Sequence, residues 1–102
     1  MANISVVGRI VSDDIELKIS ANNRPYLRFD LAERTGKGAY ARTQYYQVVA
    51  FGAIASQFAK RGLCRGALIS VEGTLELEDY LKRDGWTRDK RLKVIALRWR
   101  YL

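Results

Sequence analysis

Apolar and polar residues alternate with a period of two along most of the chain, and this alternation predicts an all-β fold. The alternating segments are rich in β-branched and aromatic side chains, which favour strands over helices. They occupy residues 4–11, 15–19, 26–32, 43–51, 67–77 and 93–101. Turn-forming residues separate the segments, and the Asp84-Gly85 pair predicts a hairpin between the last two.

One segment has helical rather than alternating spacing. Three apolar residues recur at helical intervals within residues 53–61, and Gly62 follows where a left-handed C-cap is expected. Strands at roughly ten-residue spacing indicate a barrel or a sandwich. A short helix between the third and fourth barrel strands favours a five-stranded Greek-key OB-fold barrel, a fold that often binds oligonucleotides or oligosaccharides. Residues 1–102 are interpreted as a single OB-fold domain because no linker or repeat interrupts them.

The composition excludes several kinds of chemistry. The 102 residues contain no His and one Cys, which excludes the usual His-dependent nucleophilic centres, ordinary zinc sites and any intrachain disulfide. No apolar run approaches the roughly 20 residues that cross a bilayer, and the N-terminus lacks a signal peptide. A lone thiol also fits a reducing compartment. Together, these observations predict a cytoplasmic protein that is not an enzyme and has no metal, no cofactor and no membrane contact.

The charge of the chain points to a polyanionic partner. The 18 basic residues outnumber the 11 acidic ones, which gives a net charge of +7. Residues 82–100 hold eight of the basic residues and only two acidic ones, and aromatic rings are interleaved with them. A ring can stack an unpaired base for about 1–3 kcal/mol, and a cation can displace a counterion from a phosphate. Because duplex bases are already stacked, this pattern favours single-stranded nucleic acid.

Four aromatic residues are predicted to stack bases because they lie on the densest strand or beside the basic hairpin. They are Tyr45, Phe51, Tyr80 and Trp86. Eight basic residues are predicted to contact phosphates, namely Arg34, Lys37, Arg42, Lys82, Arg83, Arg88, Lys90 and Arg91. Four further rings are assigned to the core or to a subunit contact, namely Phe29, Phe58, Trp99 and Tyr101. Two alternatives stay open: Tyr45 and Phe51 as core residues, and the basic hairpin as a solvated edge.

Three segments of the sequence resemble bacterial single-stranded DNA-binding proteins. Residues 3–10 (NISVVGRI) resemble their opening strand, residues 43–52 (TQYYQVVAFG) their central aromatic strand, and residues 69–75 (ISVEGTL) their V-x-(V/I)-E/D-G-x-L stretch. The resemblance follows the family in order over nearly the whole chain. It implies a five-stranded OB fold that binds unpaired DNA without sequence preference in replication, repair and recombination. It also implies a homotetramer, or a dimer with two OB folds per chain.

The same resemblance implies positions for base stacking, which fall on Tyr45, Phe51 and Tyr80. The family usually carries a Trp at the end of the second strand, and this chain has no ring there. Tyr40 lies nearby and is the candidate to replace it. The edge strand at residues 4–11 is expected to pair with a second copy of the chain, which would hide an exposed edge.

The chain also departs from the family. Glu76, Glu78 and Asp79 stand where the family tends to carry basic residues, so phosphate contacts are expected to weaken there or to shift to the hairpin beyond. The sequence ends after its last predicted strand, without the family's flexible linker and acidic tip, which puts the recruitment of other replication proteins in doubt. In this it resembles the tail-less primosomal replication protein. The second hypothesis is therefore an OB-fold module that docks a helicase or primase and contacts DNA only secondarily.

Overall fold

The computed structural model describes residues 2–102 as six strands, one α-helix and one turn of 3-10 helix. The strands are β1 (Ala2–Ile10), β2 (Lys18–Ile19), β3 (Pro25–Thr35), β4 (Arg42–Phe51), β5 (Leu68–Leu81) and β6 (Arg88–Tyr101). The helix α1 (Gly52–Arg61) follows β4 directly, and the 3-10 turn (Gly38–Tyr40) lies between β3 and β4.

Five of the strands close into a barrel. They are hydrogen-bonded in the order β1-β5-β6-β4-β3, and β3 returns to β1 through the pairs Arg9–Ala32 and Ile10–Leu31. β4 and β6 run parallel, whereas the other neighbours run antiparallel. The two-residue β2 pairs only with the start of β3. This arrangement confirms the predicted five-stranded OB-fold barrel, with its helix between the third and fourth barrel strands.

The core is filled by the inward side chains of the strands and by one face of α1. The ring of Phe58, from α1, stacks on Trp99 at a centroid distance of 4.5 Å and meets Phe29 edge-on at 5.2 Å. Phe29 and Phe58 are buried, and Trp99 packs against them, which confirms their assignment to the core. Tyr101 is 41 % exposed, so its assignment to the core is wrong and only the predicted subunit contact remains for it.

The predicted end of the helix is confirmed. Gly62 adopts a left-handed φ of 63°, and its N–H donates to the carbonyl of Ala59 at 3.2 Å. The positive φ strains residues that carry a Cβ, which explains why glycine stands there.

Two predicted strands differ from the structure. Only Lys18 and Ile19 of the segment 15–19 form a strand, whereas Ile15 packs against the core from an irregular loop. The apolar residues Ile15, Leu17 and Ile19 alternate along this segment, but Leu17 and Ile19 are exposed, so the alternation does not mark a buried sheet face. At the other end of the chain, β5 and β6 extend well past the predicted limits and remain paired as far as Leu81 and Arg88. This outer part of the hairpin extends beyond the core, so burial does not impose an alternating pattern on it.

Candidate nucleic-acid interface

The outward side chains of β3, β4, β5 and β6 form one continuous surface, which we call the open face. Alternate residues within 45–51 point outward from β4, away from the core. The strand register places Arg28 of β3 beside Val49 and Lys93 of β6 beside Gln47. Side chains from several strands therefore meet on a single surface that combines apolar, polar and cationic groups.

A shallow depression of about 360 Å³ lies on the open face. Its lining comes from the loop after β2 and from four strands: Ser20, Ala21, Tyr26, Arg28, Gln47, Val49, Phe51, Glu78 and Lys93. The lining of the depression therefore combines two aromatic rings, two cations and one carboxylate.

Phe51 lies in this depression rather than in the core. Its ring centroid is 6.4 Å from that of Tyr26, and the guanidinium of Arg24 lies 5.2 Å from its centroid. A cation over a ring face is attracted by the ring quadrupole, so Arg24 restrains a half-buried ring at the outer surface. Core burial, the alternative left open for Phe51, is therefore wrong.

Tyr45 is an exposed ring on the open face. Its cross-strand neighbour on β3 is the small residue Ala32, which cannot cover the ring, and 59 % of Tyr45 is exposed. Core burial is therefore wrong for Tyr45 as well. The next residue, Tyr46, points inward, and its hydroxyl donates to a Glu33 carboxylate oxygen at 3.1 Å. Burial, together with the nearby Glu33 charge and this hydrogen bond, raises the pKa of Tyr46 above its ordinary value.

Trp86 stands at the tip of the hairpin between β5 and β6, where 82 % of it is exposed. The turn beneath it is built on Asp84, which accepts from the backbone N–H groups of Trp86 at 3.0 Å and Thr87 at 2.8 Å. The hydroxyl of Thr87 also donates to Asp84. These bonds, above all that from the hydroxyl, hold the pKa of Asp84 below its ordinary value. The turn is thus ordered while the indole stays free.

A connected cluster of four side chains lies at the edge of the depression: Tyr80, Arg91, Glu78 and Lys93. Glu78 and Lys93 also line it. The guanidinium of Arg91 lies 4.8 Å from the Tyr80 ring centroid. It also donates to one Glu78 oxygen, from Nη2 at 2.6 Å and from Nε at 3.1 Å. The Lys93 ammonium is 3.1 Å from the other oxygen. Hydrogen bonds from Arg91 and Lys93 keep the pKa of Glu78 below its ordinary value. Arg91 and Tyr80 are therefore already engaged in the protein alone.

The remaining predicted residues lie at the connection between β3 and β4, on β3 itself and on the hairpin. Tyr40, Lys37 and Arg42 lie in or beside the connection between β3 and β4, and Tyr40 is 84 % exposed. Arg34 points outward on β3, opposite Thr43. The hairpin carries the others, namely Lys82, Arg83, Arg88 and Lys90.

The hairpin cations do not all share one face. Lys82 is 3.6 Å from Asp89. Alternation along β6 places Arg88 and Lys90 on the opposite face of the hairpin from Arg91. The eight predicted cations therefore do not form a single track on one side of a flat sheet.

Three residues of the open face were missed by sequence reasoning. They are Tyr26, Arg28 and Lys93, which line the depression. Alternation within residues 26–32 already put Tyr26 and Arg28 opposite the core residues, so a signal for these two was available. Lys93 gave none, because its position depends on the parallel register between β4 and β6.

Several cations lie away from the open face and are paired there. Arg65 donates to Asp13 at 2.7 Å, and Arg98 is 3.1 Å from Glu72. The basic residues of the chain are therefore not confined to the open face.

Comparison with known proteins identifies the family. The family model described as the single-strand binding protein family matches residues 1–102. The chain belongs to the single-strand binding protein family. No curated protein sequence matches it closely enough to count as a relative. Among solved structures, it is similar to the crystal structure of a small single-stranded DNA-binding protein from Streptomyces coelicolor, with a TM-score of 0.83. The sequence identity is 21 % over 99 % of this chain and 94 % of that chain, so this similarity establishes the fold.

Membership of the single-strand binding protein family confirms the resemblance found in the sequence. It places the chain among binding proteins rather than enzymes, and it does not favour the alternative of a module that acts mainly through protein partners. Within residues 2–102, no helix has both the length and the apolar character needed to span a bilayer.

Proposed function

We propose that this member of the single-strand binding protein family coats single-stranded DNA across its open face, without sequence preference. The observation that carries the proposal is the exposure of two rings, Tyr45 on the open face and Trp86 at the hairpin tip, among many cations. Each exposed ring can stack an unpaired base whatever its identity. A duplex offers no free base to such rings, so the arrangement favours single strands. The similar Streptomyces coelicolor structure is of a single-stranded DNA-binding protein, which supports the same ligand.

Base stacking is assigned to five rings, and these differ in how much ring surface they offer. The five are Tyr40, Tyr45, Phe51, Tyr80 and Trp86. Tyr40, Tyr45 and Trp86 are largely exposed. Phe51 and Tyr80 each carry a guanidinium over the ring, so a base would stack on them only beside or in place of that cation.

Phosphate contacts are assigned to cations that border these rings. The eight predicted from the sequence are Arg34, Lys37, Arg42, Lys82, Arg83, Arg88, Lys90 and Arg91. The lining of the depression adds Arg28 and Lys93. A strand lying on the open face would thus have its bases towards the rings and its phosphates towards the cations of that face. Arg88 and Lys90 lie on the opposite face of the hairpin, so only a strand that also passes around the hairpin would reach them.

The free edge of β1 supports assembly of several copies. Residues 2–8 pair with β5 on one side, and β3 reaches β1 only at Arg9 and Ile10. Within residues 2–102, no strand covers the other edge of residues 2–8, so a second copy can pair there. We favour a homotetramer, with a dimer as the alternative. Family membership further suggests a role on DNA unpaired during replication, repair or recombination in a bacterial cytoplasm.

The affinity for oligo-dT should fall steeply as salt rises. For single strands, the logarithm of the binding constant falls with the logarithm of the salt concentration, at about −0.7 for each phosphate neutralised. If half of the eight predicted cations contact phosphates, the slope should be about −2.8. Anisotropy of a labelled dT oligomer measures this slope. A binding constant that stays flat from low to high salt would refute the phosphate contacts.

The fluorescence of Trp86 should be quenched when single-stranded DNA binds. Trp99 packs against Phe58 in the core and should not respond, so the Trp99→Phe variant reports Trp86 alone. Titrating this variant with dT oligomers should quench most of its emission, since base stacking places a nucleobase on the indole. The Trp86→Phe variant, which retains only Trp99, serves as the control and should change little. Equal quenching of the two variants would contradict stacking at Trp86.

A further inference from the structure

Glu78 places a negative charge inside the surface that we propose binds a polyanion. It points outward from β5 and lines the same depression as Arg28 and Phe51. Its two carboxylate oxygens contact Arg91 at 2.6 Å and Lys93 at 3.1 Å. The sequence alone predicted only that acidic residues at these positions weaken phosphate contacts. The structure shows which cations this carboxylate engages.

A carboxylate and a phosphate compete for the same donors. Both present anionic oxygens to guanidinium and ammonium groups, and Arg binds either of them with a fork of N–H donors. In the protein alone, Nε and Nη2 of Arg91 both donate to Glu78. A DNA phosphate can use these donors only after the carboxylate has released them.

The cluster is exposed enough for this exchange to happen. The side chains of Arg91 and Glu78 retain 37 % and 29 % of their exposure, and that of Lys93 retains 24 %. A phosphate can therefore approach from solvent without unfolding the strands. Ion pairs with such partial exposure are weak, because water screens the attraction between their charges, so DNA can displace the carboxylate.

We infer that Glu78 is a built-in competitor for DNA phosphate, which occupies Arg91 and Lys93 until a single strand displaces it. This inference rests on the proposed function. Glu78 then lowers the affinity for single strands and reduces the number of counterions released on binding, because two cations of the open face are already neutralised. By lowering the affinity, Glu78 would allow bound DNA to dissociate and be replaced more readily.

The Glu78→Gln variant tests this competition. Gln has nearly the same size and still offers one oxygen to Arg91, but it carries no charge. Its affinity for a dT oligomer should rise by about 2- to 30-fold, the range expected for releasing two partly exposed ion pairs. The salt slope should steepen by up to about 1.4, which corresponds to two further phosphates.

The Asp13→Asn variant is the matched control. It changes the net charge by the same amount and also removes a carboxylate paired with an Arg, since Asp13 lies 2.7 Å from Arg65. Neither residue lines the depression. This variant should bind the same oligomer with an affinity and a salt slope close to those of the parent protein.

A second pair of variants tests whether the effect passes through Arg91. In the parent protein, Arg91→Gln should weaken binding only partly, because the phosphate contact of Arg91 is offset there by the loss of its bonds to Glu78. In the Glu78→Gln background the same change should cost several-fold more, because Arg91 is then free to contact phosphate. Equal costs in the two backgrounds would contradict the competition.

The outcomes separate this inference from the proposed function. A Glu78→Gln protein that binds more weakly than the parent would show that the carboxylate positions the cations, and it would overturn the inference. If Glu78→Gln and Asp13→Asn raised the affinity equally, the effect would come from net charge alone, and this result would also overturn the inference. If the parent protein fails to bind dT oligomers even at low salt, the proposed function itself fails. Circular dichroism and thermal unfolding establish that each variant is folded.

Discussion

Replacing Gly73 by Ala should severely destabilise the barrel. Gly73 lies on β5 at an irregularity in its pairing with β6, and a Cβ built there would lie 2.1 Å from the carbonyl oxygen of Ile95. That oxygen belongs to the backbone of a paired strand and cannot turn aside as a flexible side chain would. We expect a loss of about 3 kcal/mol or more in the free energy of unfolding, at the upper end for overpacked sites. Urea unfolding followed by Trp99 fluorescence measures it.

The Gly62→Ala variant provides the control for this prediction. A Cβ on Gly62 meets no atom within 4 Å, but the residue has a φ of 63°, so only the left-handed backbone is penalised. That penalty is about 1–2 kcal/mol. The two variants thus separate lack of space from backbone conformation. A Gly73→Ala protein as stable as Gly62→Ala would mean that β5 and β6 do not approach each other as the structure shows.

How well the sequence predicted each strand depended on whether one face of that strand is buried. Alternation within residues 43–51 and 67–77 predicted strands that the structure confirms as β4 and β5, because burial on one side forces a period of two. The outer hairpin from Leu77 to Leu92 contains no fully buried residue, and Leu77 is 61 % exposed. No pattern of burial was therefore available to mark its strands. The segment around Ile15 was mispredicted for a different reason: its apolar residues alternate in the sequence, but Leu17 and Ile19 are exposed and form no buried sheet face.

The candidate site was predictable where it depended on one strand and not where it depended on register. Tyr45 and Phe51 follow from alternation along β4 alone. The contact between Glu78 and Arg91 requires these residues to be paired across β5 and β6. That register continues without a shift from Leu81–Arg88 to Gly73–Ala96, so it is set at the hairpin turn, and the alternation does not reveal it. Side chains distant in sequence could thus be named as candidates but not paired.

Removing Tyr45 and Trp86 together should produce the largest loss of DNA affinity. Each ring is expected to contribute about 1–3 kcal/mol of stacking. The two residues lie on separate elements, one on β4 and one at the hairpin tip, so their effects should add. The Tyr45→Ala/Trp86→Ala protein should therefore bind a dT oligomer at least about 30-fold more weakly, which corresponds to the lower limit of about 2 kcal/mol. Anisotropy of a labelled oligomer measures the loss without relying on tryptophan emission.

The Tyr101→Ala variant is the matched control, because it also removes a partly exposed ring. Tyr101 lies beneath Arg61 of α1, 5.4 Å from the guanidinium, and it does not line the depression on the open face. Its removal should leave DNA affinity nearly unchanged. A comparable loss of affinity in this control would mean that general destabilisation or a lost subunit contact, rather than stacking, can account for the loss in the double variant.

The salt dependence of the double variant shows which force has been removed. Stacking involves no counterion, so the loss of two rings should lower the binding constant by the same factor at every salt concentration and leave the slope unchanged. Substituting cations of the open face such as Arg28 and Arg34 by Gln should instead flatten the slope, by about 0.7 for each phosphate that is no longer neutralised. If the ring variant flattened the slope as much as the cation variant does, Tyr45 and Trp86 would be acting by positioning the charged groups. The division of labour between rings and cations that we propose would then be wrong.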